Sequence, residues 1–247
     1  MRNDMMAYAI RSVCVAAVLC AMLASCAKRE DPAASSGEVA RPEAIREDPW
    51  PPRLADVPVD LGQISRKNYI IIFDGSGSMT GHKIATAKAA LKRFIMTILR
   101  DANVGLVAFD RSGCTERASL GTPREKIVAI VDGITAGGYT PLGGAFTIAY
   151  DRLVHQANRQ SGYGEYHIVV LTDGRATDGR IMPQKVAAIL AESPVVIHTI
   201  GFQIGSGHAL NQPGRTYYTV ADNFEELSRG LVAVLAELET FTVTTFK

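Results

Sequence analysis

The amino-acid sequence predicts an α/β fold, a doubly wound, mainly parallel central sheet flanked by helices. Apolar runs such as "YIIIF", "LVAF" and "IVVL" show no polar alternation, which is typical of strands buried on both faces. Amphipathic segments with helical spacing separate these runs, as in a sheet wound with helices. Several strands end in short polar loops, and ligands of such sheets bind at the carboxyl ends of the strands.

The expected elements follow one another from residue 67 onward. Strands are predicted at 68–74, 103–110, 166–174 and 194–202, with short strands at 115–121 and 215–221. Helices are predicted at 82–99, 123–134, 145–157, 182–193 and 223–239. Pro123 suits the start of the second helix and Asn223 the N-cap of the last. The first helix carries one apolar stripe, made of Ile84, Ala87, Leu91, Phe94, Ile95 and Ile98.

The N-terminus has the pattern of a secretory signal. The apolar run from Ser12 to Ala24 is too short to cross a bilayer as a helix but suits a signal peptide. It ends in "LASC", which resembles the lipobox of bacterial lipoproteins. That resemblance implies cleavage before Cys26 and a diacylglycerol on its thiol. The protein would then be extracytoplasmic and lipid-anchored to the cell envelope on the periplasmic side, at the outer membrane of a Gram-negative host because alanine follows the cysteine.

Two alternatives to the lipoprotein remain open, a signal peptide cut at a nearby small residue and an uncleaved anchor. The expected organisation is a signal peptide at 1–25, a lipidated N-terminus and flexible tether at 26–66, and one domain at 67–247. The tether is rich in proline and charge and poor in large apolar residues. Trp50 lies in it and is expected to be an incidental hydrophobic residue, with docking on the domain or on a partner as the alternative.

The net charge and the cysteine content exclude two classes of protein, nucleic-acid-binding proteins and disulfide-stabilised proteins. The net charge is +1 and no basic cluster occurs, so nucleic acid is not an expected partner. Cys114 is the one cysteine left after the expected cleavage apart from Cys26, which leaves no disulfide framework. We expect Cys114 to be a bystander. His167 and His198 fall within predicted strands and are expected in the core, and His82 at a helix start.

Three polar loops carry the candidate chemistry. "DGSGS" offers Asp74, Ser76 and Ser78, "GGYTPLGG" offers Thr140, and "LTDG" offers Asp173. Glycines in the first loop allow the sharp turn that would bring its oxygen atoms together. Two carboxylates and three hydroxyls form a hard set of oxygen ligands, which favours Mg²⁺, Ca²⁺ or Mn²⁺.

The five residues, in this order and between these strands, resemble the metal-ion-dependent adhesion site of the von Willebrand factor A domain, over about residues 67–240. The resemblance implies a Rossmann-like fold and a divalent cation, Mg²⁺ first. It implies that the hydroxyls meet the cation directly or through water, while Asp74 and Asp173 often act through water. The open coordination position would then accept an Asp or Glu of a protein partner. We expect adhesion or scaffolding, and no enzyme activity.

Three other hypotheses compete with this one. A dinucleotide-binding domain would use the glycines after the first strand, but the spacing is not G-x-G-x-x-G and Asp74 would face the phosphates. A metal-assisted hydrolase of phosphatase type lacks a visible general base, and G-x-S-x-G is absent. A metal-free domain of the same fold would leave the ligand set unexplained. Asp178, Arg175 and Arg180 are candidates for the rim of the site, with a solvated loop charge as the alternative for each, and Asp110 is expected near the same face.

Overall fold

The computed structural model describes residues 50–236. The expected signal peptide, Cys26, the first part of the tether and the last residues of the final predicted helix lie outside the described residues. Within this part of the chain, no helix combines the length and apolar character needed to cross a bilayer.

Six strands form the central sheet, in the order β3-β2-β1-β4-β5-β6. Every neighbouring pair is parallel except β2 and β3, which are antiparallel. The mainly parallel sheet is therefore confirmed, with β3 as the edge strand that the sequence predicts to be short. The bounds of the strands are β1 (Lys67–Asp74), β2 (Asn103–Asp110), β3 (Gly113–Ala118), β4 (Glu165–Thr172), β5 (Val196–Phe202) and β6 (Tyr217–Ala221).

Helices cover both faces of this sheet, which confirms the doubly wound class. One buried cluster joins α1, α2 and α5 to one face, and a second joins α3 and α4 to the other. Asn223 caps α5 as expected, because its Oδ1 accepts the Glu226 N–H at 3.0 Å. The bounds of the helices are α1 (His82–Thr97), α2 (Arg124–Gly133), α3 (Leu142–Arg159), α4 (Ile181–Glu192) and α5 (Phe224–Ala236).

The central strand β1 is apolar on both faces because helices cover both. Ile71, Ile72 and Phe73 are fully buried, and each such side chain contributes about 1.5–3 kcal/mol of burial free energy. β1 pairs with β2 on one side and β4 on the other, so the chain order reverses beside it. The crevice at the carboxyl ends of β1 and β4 is thus the topological switch point where such sheets bind ligands.

Helix α3 begins at Leu142, earlier than the predicted start at residue 145. Pro141 occupies the N-cap and two glycines lie inside the first turn. A Cβ on Gly143 would lie 2.6 Å from the backbone nitrogen of Met182. Gly143 is therefore part of a close contact between α3 and the start of α4, and both glycines lie within the helix and not in a loop.

Residues 50–66 differ from the expected tether, because they pack on the domain. The Leu54 N–H donates to Asn158 Oδ1 at 3.1 Å, and the Asp60 N–H donates to the Arg159 carbonyl at 2.8 Å. The Trp50 ring lies edge-on to the Tyr166 ring, with centroids 4.6 Å apart. These two hydrogen bonds and the ring contact hold the segment against the C-terminal end of α3 and against β4. This stretch is part of the domain surface.

Candidate metal site

The first loop leaves β1 at Asp74, whose side chain is fully buried. Its Oδ1 accepts the Ser76 N–H at 2.8 Å and its Oδ2 accepts the Thr172 hydroxyl at 2.5 Å. Burial raises the pKa of the Asp74 carboxyl, and the nearby charge of Asp173 raises it further, while hydrogen bonds from Ser76 and Thr172 lower it. Asp74 therefore holds the loop in shape and brings one carboxylate to the crevice.

Ser76 and Ser78 face the same point from this loop. Their Oγ atoms lie 3.0 Å apart, and the Ser78 hydroxyl donates to Asp173 Oδ1 at 2.5 Å. Ser76 is buried and Ser78 is exposed. Because Ser78 directs its one hydrogen to Asp173, the lone pairs of its oxygen are left for the Ser76 hydroxyl or for a cation. The first and third predicted loops are thereby joined.

Thr140 belongs to the second loop, and its hydroxyl lies on the same side of the third loop as the Ser78 hydroxyl. A Cβ built on Gly174 would lie 3.6 Å from Ser78 Oγ and 3.7 Å from Thr140 Oγ1, so both hydroxyls line the space beside Gly174. The Thr140 N–H donates to Thr177 Oγ1 and its carbonyl accepts the Thr177 N–H, at 3.0 and 2.9 Å. The third loop thus fixes the second.

The second loop is also tied to the first by backbone hydrogen bonds. The Gly137 N–H donates to the Gly75 carbonyl at 2.9 Å, and the Gly77 N–H donates to the Gly138 carbonyl at 3.1 Å. Gly137 and Gly138 both have positive φ, and a Cβ on Gly138 would lie 3.0 Å from the Asp110 carbonyl oxygen. Glycine is required at this crossing because the backbone of β2 is too close for a side chain.

Lys83, which the sequence analysis does not single out, contacts the site directly. Its Nζ lies 2.7 Å from Asp173 Oδ2, and the Asp173 side chain has no exposed surface. Lys83 lies in the first turn of α1, the helix that follows the "DGSGS" loop. Sequence alone shows that Lys83 lies at the start of the helix after the loop, but its partner Asp173 is 90 residues away.

The residues expected at the rim divide into two kinds. Asp110 is close to the site, but its Oδ1 accepts the Arg117 guanidinium at 2.8 Å and the Ser112 N–H at 2.7 Å. Asp178 accepts the Gly144 N–H at 3.0 Å and so caps the first turn of α3. Both carboxylates therefore support the loops rather than line the rim, in contrast to the expectation for Asp178.

Arg175 and Arg180 are exposed, as expected for rim residues. Neither takes part in an ion pair of 4.0 Å or less among residues 50–236, whose ion pairs involve other side chains. Tyr139, next to Thr140, is 82% exposed. Two exposed arginines and one exposed aromatic ring thus lie in the loops that carry Asp173 and Thr140.

The third loop has a support from the β5–β6 connection that sequence reasoning missed. His208 is buried, its Nδ1 accepts the Leu210 N–H at 3.2 Å, and its Nε2 is 3.0 Å from the Gly174 carbonyl. The Leu210 contact assigns the proton to Nε2, which then donates to Gly174. Burial lowers the pKa of His208. A neutral histidine therefore anchors the backbone next to Asp173.

The other singled-out side chains take no part in the site. His167 and His198 are buried in the sheet, as expected. His82 is the first residue of α1, as expected, and its Nδ1 lies 3.1 Å from Thr86 Oγ1. Burial, together with the charge of Asp178, raises the pKa of the Cys114 thiol to about 11. Such a thiol is not activated as a nucleophile, which agrees with a bystander role.

A cavity of about 460 Å³ opens beside the site, between the start of α1 and the start of α5. Ser78, His82 and Lys83 line one wall, and Asp222 and Glu225 belong to the opposite wall. Its volume lies in the range of roughly 300–1,000 Å³ of cavities that take small ligands. A molecule that approaches Ser78 from this side passes Lys83.

These side chains suit a hard divalent cation. Among residues 50–236, no group of three or more His, Cys, Asp or Glu side chains is placed to hold a metal. The ligand oxygens here come instead from two carboxylates and three hydroxyls, which excludes a soft thiolate site and suits Mg²⁺, Ca²⁺ or Mn²⁺. Asp74, Ser76, Ser78, Thr140 and Asp173 would hold the cation, which would act as an electrophile toward an anionic group.

The geometry does not favour a dinucleotide. The strand order is that of nucleotide-binding sheets, but the Ser76 N–H, which a phosphate would need, already donates to Asp74 Oδ1. The carboxylate of Asp74 also brings negative charge to the place where a phosphate would bind.

Similar proteins agree with this fold. The von Willebrand factor type A domain matches residues 68–229. Among curated proteins, inter-alpha-trypsin inhibitor heavy chain H4 of Sus scrofa is 30% identical over 146 residues, which is 57% of this chain and 16% of that protein. The heavy chain 4 of Mus musculus is 28% identical over 153 residues, 60% of this chain and 16% of that protein. The chain therefore matches only a small part of the length of these relatives.

Solved structures share the fold at low identity. A von Willebrand factor type A protein from Catenulispora acidiphila superposes with a TM-score of 0.54 at 20% identity, over 70% of this chain and 42% of that one. The pilus adhesin SpaC of Lactobacillus rhamnosus GG superposes with a TM-score of 0.56 at 15% identity, over 70% of this chain and 30% of that one. A mussel byssus protein, proximal thread matrix protein 1 with a zinc-occupied MIDAS motif, superposes with a TM-score of 0.56 at 19% identity, over 72% of this chain and 48% of that one.

Domains of this family mediate protein–protein interaction and adhesion. The family match spans β1 to α5 and includes all five residues of the candidate site. The mainly parallel sheet, the helices on both of its faces and the loops at the switch point are the framework expected of such a domain. The chain belongs to the von Willebrand factor type A domain family.

Proposed function

We propose that this chain is a metal-dependent protein-binding module, which engages an Asp or Glu side chain of a partner through a divalent cation. The observation that carries the proposal is the convergence of three loops on one point, where Ser78 Oγ is within hydrogen-bonding distance of both Ser76 Oγ and Asp173 Oδ1. The three hydroxyls add no negative charge, and Asp173 is paired with Lys83, so the site leaves part of the charge of a cation uncompensated. A partner carboxylate is the group that would neutralise it.

Mg²⁺ is the first candidate for the cation, and Ca²⁺ and Mn²⁺ are the alternatives. The small number of carboxylates and the presence of several hydroxyls favour a cation that keeps part of its water shell, as Mg²⁺ does. The zinc in the motif of the mussel byssus protein supports a divalent cation of some kind. Calorimetric titration of the metal-free protein with the chlorides of Mg²⁺, Ca²⁺, Mn²⁺ and Zn²⁺ would rank the affinities of these four cations.

We further propose that the module is displayed at the cell envelope by a lipid on Cys26, with adhesion or scaffolding as its role. The "LASC" sequence after an apolar run supports this proposal. Labelling of cells with an alkyne analogue of palmitate tests it. Label should be absent from Cys26→Ala and present in Cys114→Ala, which removes a thiol elsewhere. Equal labelling of both variants would contradict acylation at Cys26.

Capture of a partner tests the binding function. Full-length protein on beads, with Mg²⁺, should retain an envelope protein that is released by chelator. Thr140→Ala should lose this capture, whereas Thr147→Ala should keep it, because the Thr147 hydroxyl donates to the Gly143 carbonyl within α3 and faces no ligand. Carbodiimide amidation of the partner's carboxyl groups should also abolish capture. Retention after chelation and in Thr140→Ala would contradict a metal bridge.

A further inference from the structure

Lys83 contributes a positive charge to the centre of the candidate metal site. Its ammonium lies 2.7 Å from Asp173 Oδ2, while the other oxygen of that carboxylate accepts the Ser78 hydroxyl. The Asp173 side chain is fully buried, and 31% of the Lys83 side chain is exposed. Removing Lys83 would leave the buried charge of Asp173 without this partner.

The charge balance of the site depends on this lysine. Asp74 and Asp173 provide two negative charges and Lys83 one positive charge, so together they carry one net negative charge. A divalent cation would then be left with one net positive charge. One carboxylate from a partner would bring the sum to zero. Without Lys83, the two aspartates alone would neutralise the cation, and a partner carboxylate would add an unbalanced negative charge.

Lys83 is also placed where a ligand approaches. It lines the cavity of about 460 Å³ together with Ser78, one of the five proposed ligands. Its ammonium is therefore close enough to both the cation site and the cavity mouth to act on either occupant through space. Lys92 of the same helix gives a comparison, since it pairs with Asp132 at 2.6 Å and has a similar exposure of 33%.

We propose that Lys83 is a charge-setting, positioning residue of the metal site, which lowers the affinity for the divalent cation and raises the affinity of the loaded site for a carboxylate. The first half concerns the cation alone, and the second half rests on the proposed function. Two opposed effects follow from one charge. A purely structural role would weaken both kinds of binding together.

The cation arm of the test measures Mg²⁺ affinity of the full chain by calorimetry. Lys83→Met should bind Mg²⁺ about tenfold more tightly than the unsubstituted protein, and Lys83→Gln should shift the same way with a polar side chain. Lys83→Arg should stay near the original affinity because it keeps the charge. Lys92→Met is the matched control and should change nothing. Equal or weaker Mg²⁺ binding by both uncharged variants would overturn the proposal.

The carboxylate arm uses acetate as the probe, titrated into the Mg²⁺-loaded protein and followed through backbone amide NMR shifts, with uncharged acetamide as its control. Acetate should bind the unsubstituted protein several-fold more tightly than Lys83→Met. Tighter Mg²⁺ binding with acetate affinity unchanged by Lys83→Met would overturn the second half only. If acetate and acetamide behave alike in every variant, the proposed function fails while the effect of Lys83 on the cation stands.

Discussion

Ser78 Oγ donates a hydrogen bond of 2.5 Å to Asp173 Oδ1 across 95 residues of sequence. This contact joins the loop after β1 to the loop after β4, and the two strands are neighbours in the sheet. It also leaves the lone pairs of Ser78 for another partner, so two of the proposed ligands, a hydroxyl and a carboxylate, are already held side by side without a cation. Preorganisation of this kind lowers the free-energy cost of binding.

Ser78→Ala should remove most of the stabilisation of the protein by Mg²⁺. A cation at a hundredfold excess over its Kd stabilises the native state by about 2.7 kcal/mol, and the variant should lose much of this because one ligand oxygen and its bond to Asp173 are gone. Thermal unfolding with Mg²⁺ and with chelator measures it. Thr80→Ala is the control, because its exposed hydroxyl donates to the Gly77 carbonyl. Equal Mg²⁺ shifts in both variants would contradict the site.

Gly143→Ala and Gly144→Ala should act in opposite directions. A Cβ at Gly143 would lie 2.6 Å from Ile181 Cγ2 and from the Met182 nitrogen, so the contact between α3 and α4 must open. Overpacking of this kind costs about 1–3 kcal/mol. A Cβ at Gly144 meets only Pro141 Cβ at 4.0 Å, and alanine in a helix gains about 0.5–1 kcal/mol over glycine. Urea unfolding of both variants would show whether this sign difference holds.

The protein should lose stability in acid through His167 and His198. Burial lowers the pKa of His167 to about 4 and that of His198 to about 3, against an ordinary value of 6.5. Above pH 6.5 both are neutral in folded and unfolded chains, so they cost nothing. Between pH 6.5 and 4 the unfolded chain binds protons that the folded chain does not. The free energy of unfolding therefore decreases as the pH is lowered, by up to about 1.4 kcal/mol per pH unit for each histidine.

Urea unfolding at pH 7 and pH 5 checks this sign. His167→Leu should show a smaller loss between the two pH values than the unsubstituted protein, because one titrating group is removed. The exposed His155 supplies the control, and His155→Gln should leave the pH 7 to pH 5 difference unaltered. Stability that rises toward pH 5, or a difference unaffected by His167→Leu, would contradict the assignment.

Trp50→Ala should destabilise the domain, although Trp50 lies in a stretch expected to be a tether. The ring packs edge-on against Tyr166 and belongs to the cluster under α3 and α4. Loss of a half-buried aromatic contact should cost about 1–3 kcal/mol. Leu54→Ala is the control, because that side chain is 42% exposed. Identical unfolding curves for the two variants would show that residues 50–66 do not support the fold.

The sequence predicts the strands and helices well because their signals are local. "YIIIF" and "IVVL" mark strands covered on both faces, and the observed β1 and β4 include them. The first turn of α3 escapes such a prediction, because two glycines there indicate a loop by propensity. Only the close approach of Met182 and Asp178 explains why glycine is used at position 143 inside the helix.

The candidate site divides in the same way. Asp74, Ser76 and Ser78 are recognisable because one short loop carries them. Thr140 is recognisable because it lies in a predicted glycine-rich loop, and Asp173 because it lies at the end of a predicted strand. Roles of supporting residues are not visible in sequence. The sequence makes Asp178 a candidate for the rim and gives His208 no role, and only their contacts with α3 and Gly174 show what they support.

By itself the sequence determines the alternation of strands and helices, the doubly wound class and the set of five oxygen-bearing side chains. Tertiary structure alone decides that β1 lies beside β4, that residues 50–66 pack on α3, and that Lys83 meets Asp173 from 90 residues away. The physical reason is that apolar pattern and turn chemistry act over a few residues. The helical crossovers set the order of the strands, and this order decides which charged side chains become neighbours. Each crossover joins strands that are far apart in sequence, so local patterns do not reveal it.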